Sequence, residues 1–370
     1  MPTQIISKEF KIIIAGGGTG GHIFPAIAIA NAIKTLQPST EILFVGAKGK
    51  MEMEKIPQAG YKIIGLDIAG LNRTSVLKNI TLPIKLINSF LQVKNIIKYF
   101  KPDAAIGVGG YSSFPVLKFC QTKGIKTFIH ESNSFAGKSN ILLGKNATNI
   151  FVASTEMEKF FPQSKIILTG NPVRKVITES NILQADALQY FGLSATKKTV
   201  LIVGGSLGSR SINQAIFSGL HFFIENEINV IWQTGKLNIG SFTAMHNIDK
   251  GIFVSEFIGA MEMAYAAADV VISRSGAMTV AELCVAKKPV IFVPFPFAAE
   301  DHQTSNAKQL VNHQAALMVK DEFVQQQLVN KAIELLKNEP LQVELKNNIA
   351  KFSITNADQK IAEIILENLF

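Results

Sequence analysis

One arrangement occurs twice in this chain: a β-rich apolar run, a glycine turn, then a helical stretch. Lys11–Ala15 reads as a strand, Gly16–Gly21 as a turn, and an Ala/Ile-rich helix continues to about Leu36. Thr199–Val203, Gly204–Gly208 and the stretch from Ser211 repeat the plan without repeating the sequence. A strand that turns tightly into a helix returns to its sheet as a parallel neighbour, so the pattern predicts βαβ units. Further short strands are expected at Glu41–Val45, Ala104–Val108, Lys126–Ile129 and Ile150–Ala153 in the first half. In the second half they fall at Val230–Gln233, Gly251–Val254, Val270–Ser273 and Pro289–Val293. A length of 370 residues suits two such α/β domains. Gly170–Lys175, with its Gly-Asn-Pro break, marks the boundary. The expected division is residues 1–170, residues 171–350, and a last helix within 351–370 that packs back on the first domain.

Composition narrows the class. The chain is 47% hydrophobic and 18% charged, which is the balance of a folded protein. Two cysteines build no disulfide framework and are expected to be buried thiols in a reducing compartment. No apolar run is long enough to span a bilayer, and Met1–Phe10 lacks the features of a signal peptide. The net charge of +9 favours anionic partners without choosing among them.

The glycine turns are candidate anion cradles, because glycine exposes backbone N–H groups and a helix N-terminus follows. Gly16–Gly21 matches the dinucleotide spacing G-x-G-x-x-G. That reading needs a carboxylate at the end of the second strand to hold a ribose. The strand ends Phe44-Val45-Gly46-Ala47-Lys48, and Glu41 stands at its start, which argues against NAD or FAD. Gly204-Gly205-Ser206-Leu207-Gly208 and Ser273-Arg274-Ser275-Gly276-Ala277-Met278-Thr279 place two such turns in the second half, as a diphosphate would require. Neither carries the Gly-Lys-Ser/Thr of a P-loop. No Asp-x-Asp pair and no zinc-spaced Cys/His cluster occurs, so no cofactor is expected. A divalent ion on the diphosphate would have no protein motif to hold it. Helix N-termini and side chains are then left to neutralise a leaving diphosphate.

Several motifs stand together in a set order. They are Gly17-Gly18-Thr19-Gly20-Gly21-His22-Ile23-Phe24-Pro25, Gly109-Gly110-Tyr111, His130-Glu131-Ser132-Asn133 and Gly170-Asn171-Pro172-Val173-Arg174. The two second-half turns follow, the latter running on to Glu282, and then Glu300-Asp301-His302-Gln303-Thr304-Ser305-Asn306. From about Ile12 to Ala307 the set resembles the MurG family, the lipid I N-acetylglucosaminyltransferases. The resemblance implies the GT-B fold, with two Rossmann-like domains and a cleft between them. It implies inverting transfer of N-acetylglucosamine from UDP-GlcNAc to the 4-hydroxyl of MurNAc in lipid I, giving lipid II and UDP. It places such a chain in peptidoglycan synthesis, cell shape and cell division. The location implied is the cytoplasmic face of the bacterial inner membrane, beside other cell-wall synthesis enzymes.

Carried over to these positions, the resemblance assigns uracil to the Ile258 backbone and the Phe257 ring, and the ribose to Glu282. Ser206 and the turn Ala277, Met278, Thr279 would hold the diphosphate. Gln303 and Asn306 would read the sugar, Arg174 and Asn133 would make donor-side and cleft contacts, and Thr19, Gly20 and Gly21 would lie near the sugar and acceptor phosphates. Removing a proton from the acceptor hydroxyl suits a histidine. His22 is the first candidate base, with a phosphate-bonding or capping role as its alternative. His130 and Glu131 follow, and Glu131 is alternatively a partner of its own loop. The chain departs from some relatives at His302, where they carry a second Gln, and in the apolar run Pro294-Phe295-Pro296-Phe297-Ala298.

Leu71–Lys101 holds Arg73, Lys78, Lys85, Lys94, Lys98 and Lys101, and no acidic residue. Apolar residues interleave with them. A basic amphipathic stretch reads as a binder of anionic lipid. Val76, Ile80 and Phe90 are the expected membrane contacts, with Arg73, Lys78 and Lys85 the basic ones. Ile96, Ile97 and Phe100 are expected in the core. Aliphatic rather than aromatic interleaving argues against nucleic acid as a partner. A related UDP-GlcNAc 2-epimerase, or another lipid glycosyltransferase of the same fold, is the alternative enzyme.

Overall fold

The computed structural model describes residues 9–68, 82–205, 207–236 and 242–370. The chain divides into two compact units, Met1–Pro172 with Asn356–Phe370, and Val173–Thr355.

The first unit is built on β1 (Lys11–Ala15), β2 (Glu41–Ala47), β3 (Lys62–Leu66), β4 (Ala104–Gly107), β5 (Lys126–Glu131), β6 (Asn149–Val152) and β7 (Ile166–Leu168). All pair in parallel, in the order β3-β2-β1-β4-β5-β6-β7. The central strands are apolar throughout because helices cover both faces. Along β1 the side chains alternate between two cores, with Ile12 and Ile14 on one face and Ile13 and Ala15 on the other. The helices are α1 (Gly20–Leu36), α2 (Glu52–Gln58), α3 (Leu82–Phe100), α4 (Ser113–Thr122) and α5 (Lys138–Gly144).

The second unit repeats this plan with β8 (Thr199–Val203), β9 (Asn229–Gln233), β10 (Ile252–Ser255), β11 (Val270–Ser273), β12 (Val290–Phe292) and β13 (Leu317–Met318). The order is β10-β9-β8-β11-β12-β13, again all parallel. Its helices are α6 (Lys175–Thr178), α7 (Gln184–Tyr190), α8 (Arg210–Glu225), α9 (Met261–Ala267), α10 (Ala277–Ala286), α11 (His302–Val311), α12 (Val324–Lys337) and α13 (Glu339–Ala350). Cys120 and Cys284 are buried and free, and burial pushes each thiol up to about 12.

The last helix, α14 (Ala357–Glu367), belongs to the first unit. Ile361, Ala362, Ile365 and Leu366 fall at helical spacing and enter the core formed by Ile29, Ile33 and Phe10. Lys360 Nζ donates to the Leu168 carbonyl at 2.8 Å. Ile365→Ala, at a fully buried position, is expected to lower unfolding free energy by about 2–5 kcal/mol in urea denaturation. Glu367→Ala, on the exposed face, should change it by less than about 0.5 kcal/mol. Equal effects would mean that α14 is not held by its apolar stripe.

Candidate functional site

In each sheet the first strand lies between two neighbours reached by opposite crossings, β2 and β4 around β1, and β9 and β11 around β8. Loops leaving the carboxyl ends of such adjacent strands diverge, and open α/β folds bind ligands there. The motifs of both units gather at these points.

In the first unit, Thr19 is extended and exposed, and α1 begins at Gly20 and Gly21 with no acidic side chain in its first turn. The turn before it is held by Glu52, which is fully buried. Its Oε2 accepts from the Gly18 N–H at 2.8 Å, and its Oε1 accepts from the Ala47 N–H at 3.0 Å. His22 Nδ1 lies 3.0 Å from the Gly17 carbonyl. A carbonyl can only accept, so Nδ1 carries the proton and Nε2 the lone pair. The ring covers Gly109, whose φ is +99°, and a Cβ there would meet Nε2 at 2.7 Å. Glycine at this position is what lets the imidazole lie against the loop after β4.

His130 and Glu131 serve their own segment. His130 is buried, its Nε2 lies 3.3 Å from the Gly170 carbonyl, and its Nδ1 lies 3.4 Å from Ser132 Oγ. Burial drives its imidazole down to about 4, with the nearby His22 adding to the effect. Glu131 accepts from the Asn133 and Gly137 N–H groups, both at 3.1 Å, and from Asn133 Nδ2 and Asn140 Nδ2 at 3.3 and 2.8 Å. Those four donors fill a carboxylate's acceptor capacity.

In the second unit, α8 and α10 begin at the ends of adjacent strands β8 and β11, and neither has an acidic residue in its first turn. Arg274 ties three loops together. Its Nη1 donates to the Val293 and Pro294 carbonyls, both at 3.0 Å, and to Asp321 Oδ1 at 2.7 Å. Its Nη2 donates to Ser209 Oγ at 2.6 Å and Ser211 Oγ at 3.0 Å. Gln233 Oε1 accepts the Ile258 N–H at 2.9 Å. Phe257 beside it is 59% exposed. Gln303 Oε1 accepts the Phe295 N–H at 3.0 Å. Asn306 is buried, and its Nδ2 donates to the Ser275 carbonyl at 3.1 Å. Two consecutive residues before α11, Glu300 and Asp301, have φ of 54° and 52°. Such left-handed backbone in residues with side chains costs of order 1 kcal/mol each and gathers at ligand clamps.

Glu282 Oε1 accepts from Arg174 Nε at 3.1 Å, with Arg174 Nη2 in ion-pair contact at 3.1 Å, and Oε2 accepts from the Tyr265 hydroxyl at 3.0 Å. Burial raises the Glu282 carboxyl above its usual range, and Arg174 and Tyr265 pull it back. Burial, reinforced by Glu282, holds the Tyr265 phenol well above its ordinary value.

Ala277, Met278 and Thr279 form the first turn of α10. Ser206, Arg73, Val76, Lys78 and Ile80 lie outside the described residues. In α3, Lys85 is exposed, and Ile84, Ile87 and Leu91 are 63%, 61% and 56% exposed along one face. Phe90 is half-buried and packs edge-on against Phe114 at 6.4 Å, so it is a core neighbour as much as a surface group. Ile97 is buried, with Ile96 and Phe100 packed around the same core. No described helix is long and apolar enough to cross a membrane. Glu52, Gln233 and Tyr265 escaped the sequence analysis.

Residues 12–152 match the glycosyltransferase family 28 N-terminal domain, and residues 199–364 match the family's C-terminal domain. The chain belongs to glycosyltransferase family 28 and has the GT-B fold. It is 49% identical to a curated relative in Phocaeicola vulgatus, over 98% of this chain and 97% of that one. That relative is the UDP-N-acetylglucosamine--N-acetylmuramyl-(pentapeptide) pyrophosphoryl-undecaprenol N-acetylglucosamine transferase. The solved structure of MurG from Acinetobacter baumannii is similar with a TM-score of 0.76 at 26% identity, over 97% of this chain and 99% of that one. A UDP-GlcNAc 2-epimerase from Neisseria meningitidis, at 16% identity and a TM-score of 0.68 over 97% and 100% of the two chains, shares the fold alone.

Glu52→Gln tests how the first turn is held. An amide offers one acceptor where the carboxylate offers two, so one buried N–H would face another donor. The expected loss is about 1–3 kcal/mol of stability in denaturant unfolding, with faster amide exchange at Gly18 or Ala47. Unchanged stability and exchange would remove Glu52 as the holder of the turn.

Proposed function

We propose that this chain moves N-acetylglucosamine from UDP-GlcNAc to the 4-hydroxyl of MurNAc in lipid I, with inversion, giving lipid II and UDP for peptidoglycan synthesis. The observation that carries this reading is the 49% identity, over nearly the full length of both chains, to a relative of that name. The two units carry groups suited to each part of the reaction. The His22 Nε2 lone pair takes the proton of the 4-hydroxyl as its oxygen bonds to C1. The C1–oxygen bond to the diphosphate breaks, and its electron pair leaves with UDP. The N-termini of α8 and α10, with Ala277, Met278, Thr279 and Ser206, stabilise that charge, as oriented N–H groups do.

The Ile258 carbonyl accepts from the uracil N3–H, the Phe257 ring covers the base, and Glu282 accepts from the ribose. Gln303 donates its amide to the sugar, while Asn306 shapes the loop beneath it. Arg174 is released toward the nucleotide when the ribose takes its place on Glu282. Thr19, Gly20 and Gly21 offer N–H groups to the acceptor phosphates, and Asn133, braced by Glu131, borders that site. Glu131 acts as the fastener of its loop rather than as a base.

The test is UDP release from UDP-GlcNAc, with and without a soluble lipid I analogue, in chelator. Acceptor-dependent release is expected, with His22→Ala lowering kcat by about 10²–10⁴ while UDP-GlcNAc binding persists. A His22→Ala enzyme within a few-fold of wild type would place the base elsewhere. Activity restored only by magnesium would overturn the helix-terminus account of the leaving group. Release or epimerisation without acceptor would overturn the transfer.

We further propose that the protein rests on the cytoplasmic face of the inner membrane. The exposed Ile84, Ile87 and Leu91 beside Lys85, Lys94 and Lys98 support this, because an amphipathic basic helix binds anionic bilayers. Replacing Ile84, Ile87 and Leu91 together by Gln should weaken sedimentation with phosphatidylglycerol vesicles by at least about tenfold, since each apolar side chain contributes about 1.5–3 kcal/mol when buried. Binding that survives the triple substitution would remove α3 as the contact.

A further inference from the structure

The carboxylate that the proposed function gives to the ribose is itself held from behind. Tyr265 lies on α9, 17 residues before Glu282 in sequence, and only 4% of its surface is exposed. Its hydroxyl donates to Glu282 Oε2 at 3.0 Å. On the other oxygen, Arg174 places both Nε and Nη2 at 3.1 Å from Oε1. An arginine fork usually spans two carboxylate oxygens with two parallel hydrogen bonds. Here both of its donors reach one oxygen, because the phenol holds the other. The two sides also differ in access. The Arg174 side chain is 32% exposed, whereas Tyr265 seals the opposite side.

We infer that Tyr265 is a positioning residue for nucleotide recognition: it reserves Oε2 of Glu282, so that Oε1, the oxygen held by Arg174, is the one that receives the ribose hydroxyls. The inference rests on the reading that Glu282 binds the ribose. A carboxylate accepts about four hydrogen bonds; Arg174 Nε and the Tyr265 hydroxyl already make two, and Arg174 Nη2 crowds Oε1 further as an ion-pair contact at 3.1 Å. Two incoming hydroxyls therefore need a site that Arg174 vacates, and the phenol fixes the carboxylate plane while that exchange takes place. Without the hydroxyl, Glu282 is free to turn with the guanidinium and to meet the fork with both oxygens.

The experiment measures the affinity of UDP and of 2′,3′-dideoxy-UDP by calorimetry for wild type, Tyr265→Phe and Glu282→Ala, together with kcat and KM for UDP-GlcNAc. Tyr265→Phe keeps the ring and removes one oxygen. Wild type should prefer UDP over the dideoxy compound by tenfold or more, about what one or two hydrogen bonds to a charged group provide. Tyr265→Phe should cut that preference to a few-fold, leave dideoxy-UDP affinity within about twofold, and raise KM for UDP-GlcNAc with kcat nearly unchanged.

If wild type discriminates and Tyr265→Phe discriminates equally, Tyr265 only packs α9 and the inference falls while the ribose reading stands. If Glu282→Ala keeps the full preference, the ribose reading itself falls. Equal loss of both ligands in Tyr265→Phe would show support of the domain rather than of the carboxylate, and would also overturn the inference.

Discussion

A turn made of glycines exposes its amides but has no side chain with which to hold itself in place. Everything at these two ligand-binding ends depends on how that problem is met. In the first unit a buried carboxylate, Glu52, reaches into the turn and takes the Gly18 and Ala47 N–H groups. In the second, a buried guanidinium, Arg274, gathers the loops after β8, β11 and β12. Desolvation lowers the pKa of Arg274, and its pairing with Asp321 works against that shift. The charged groups that shape the loops are thus turned inward. The helix N-termini of α1, α8 and α10 start without acidic residues in their own first turns, so no carboxylate of their own competes for an anion there.

The motif His130-Glu131-Ser132-Asn133 carries two titratable groups, yet the imidazole nitrogens are taken by the Gly170 carbonyl and Ser132, and the carboxylate by its own segment. His22 keeps one nitrogen bonded to the Gly17 carbonyl and presents the other over a glycine. The difference lies in what each ring faces: His130 lies within β5, whereas His22 lies in the first turn of α1.

The strands of both sheets were legible where their apolar runs are continuous, as in β1, β4, β8 and β11. Continuity reflects burial on both faces, which local sequence records. The edge strands β3 and β7 escaped notice because they are only partly covered, and β13 because it has two residues. The glycine turns were readable because their backbone demands are local. The bracing contacts were not: Glu52 meets Gly18 across 34 residues, Arg274 meets Asp321 across 47, and Arg174 meets Glu282 across 108. No periodicity marks a partner at such a distance. The backbone reading of Ile258 was half legible, since nothing local says that Gln233 has already taken its N–H.

The return of α14 to the first unit has a consequence for how the chain comes off the ribosome. The core that holds Phe10, Ile29 and Ile33 on one side of the first sheet is not complete until Ile361 to Leu369 have been made. The second unit, continuous from Val173 to Thr355, emerges whole before that happens. During synthesis the second unit can therefore reach its final packing first, and the first unit is completed last although its sequence leads. A chain that stops short of its final dozen residues would keep His22 and its glycine turns, yet leave one side of its oldest-made sheet open to water and to chaperones.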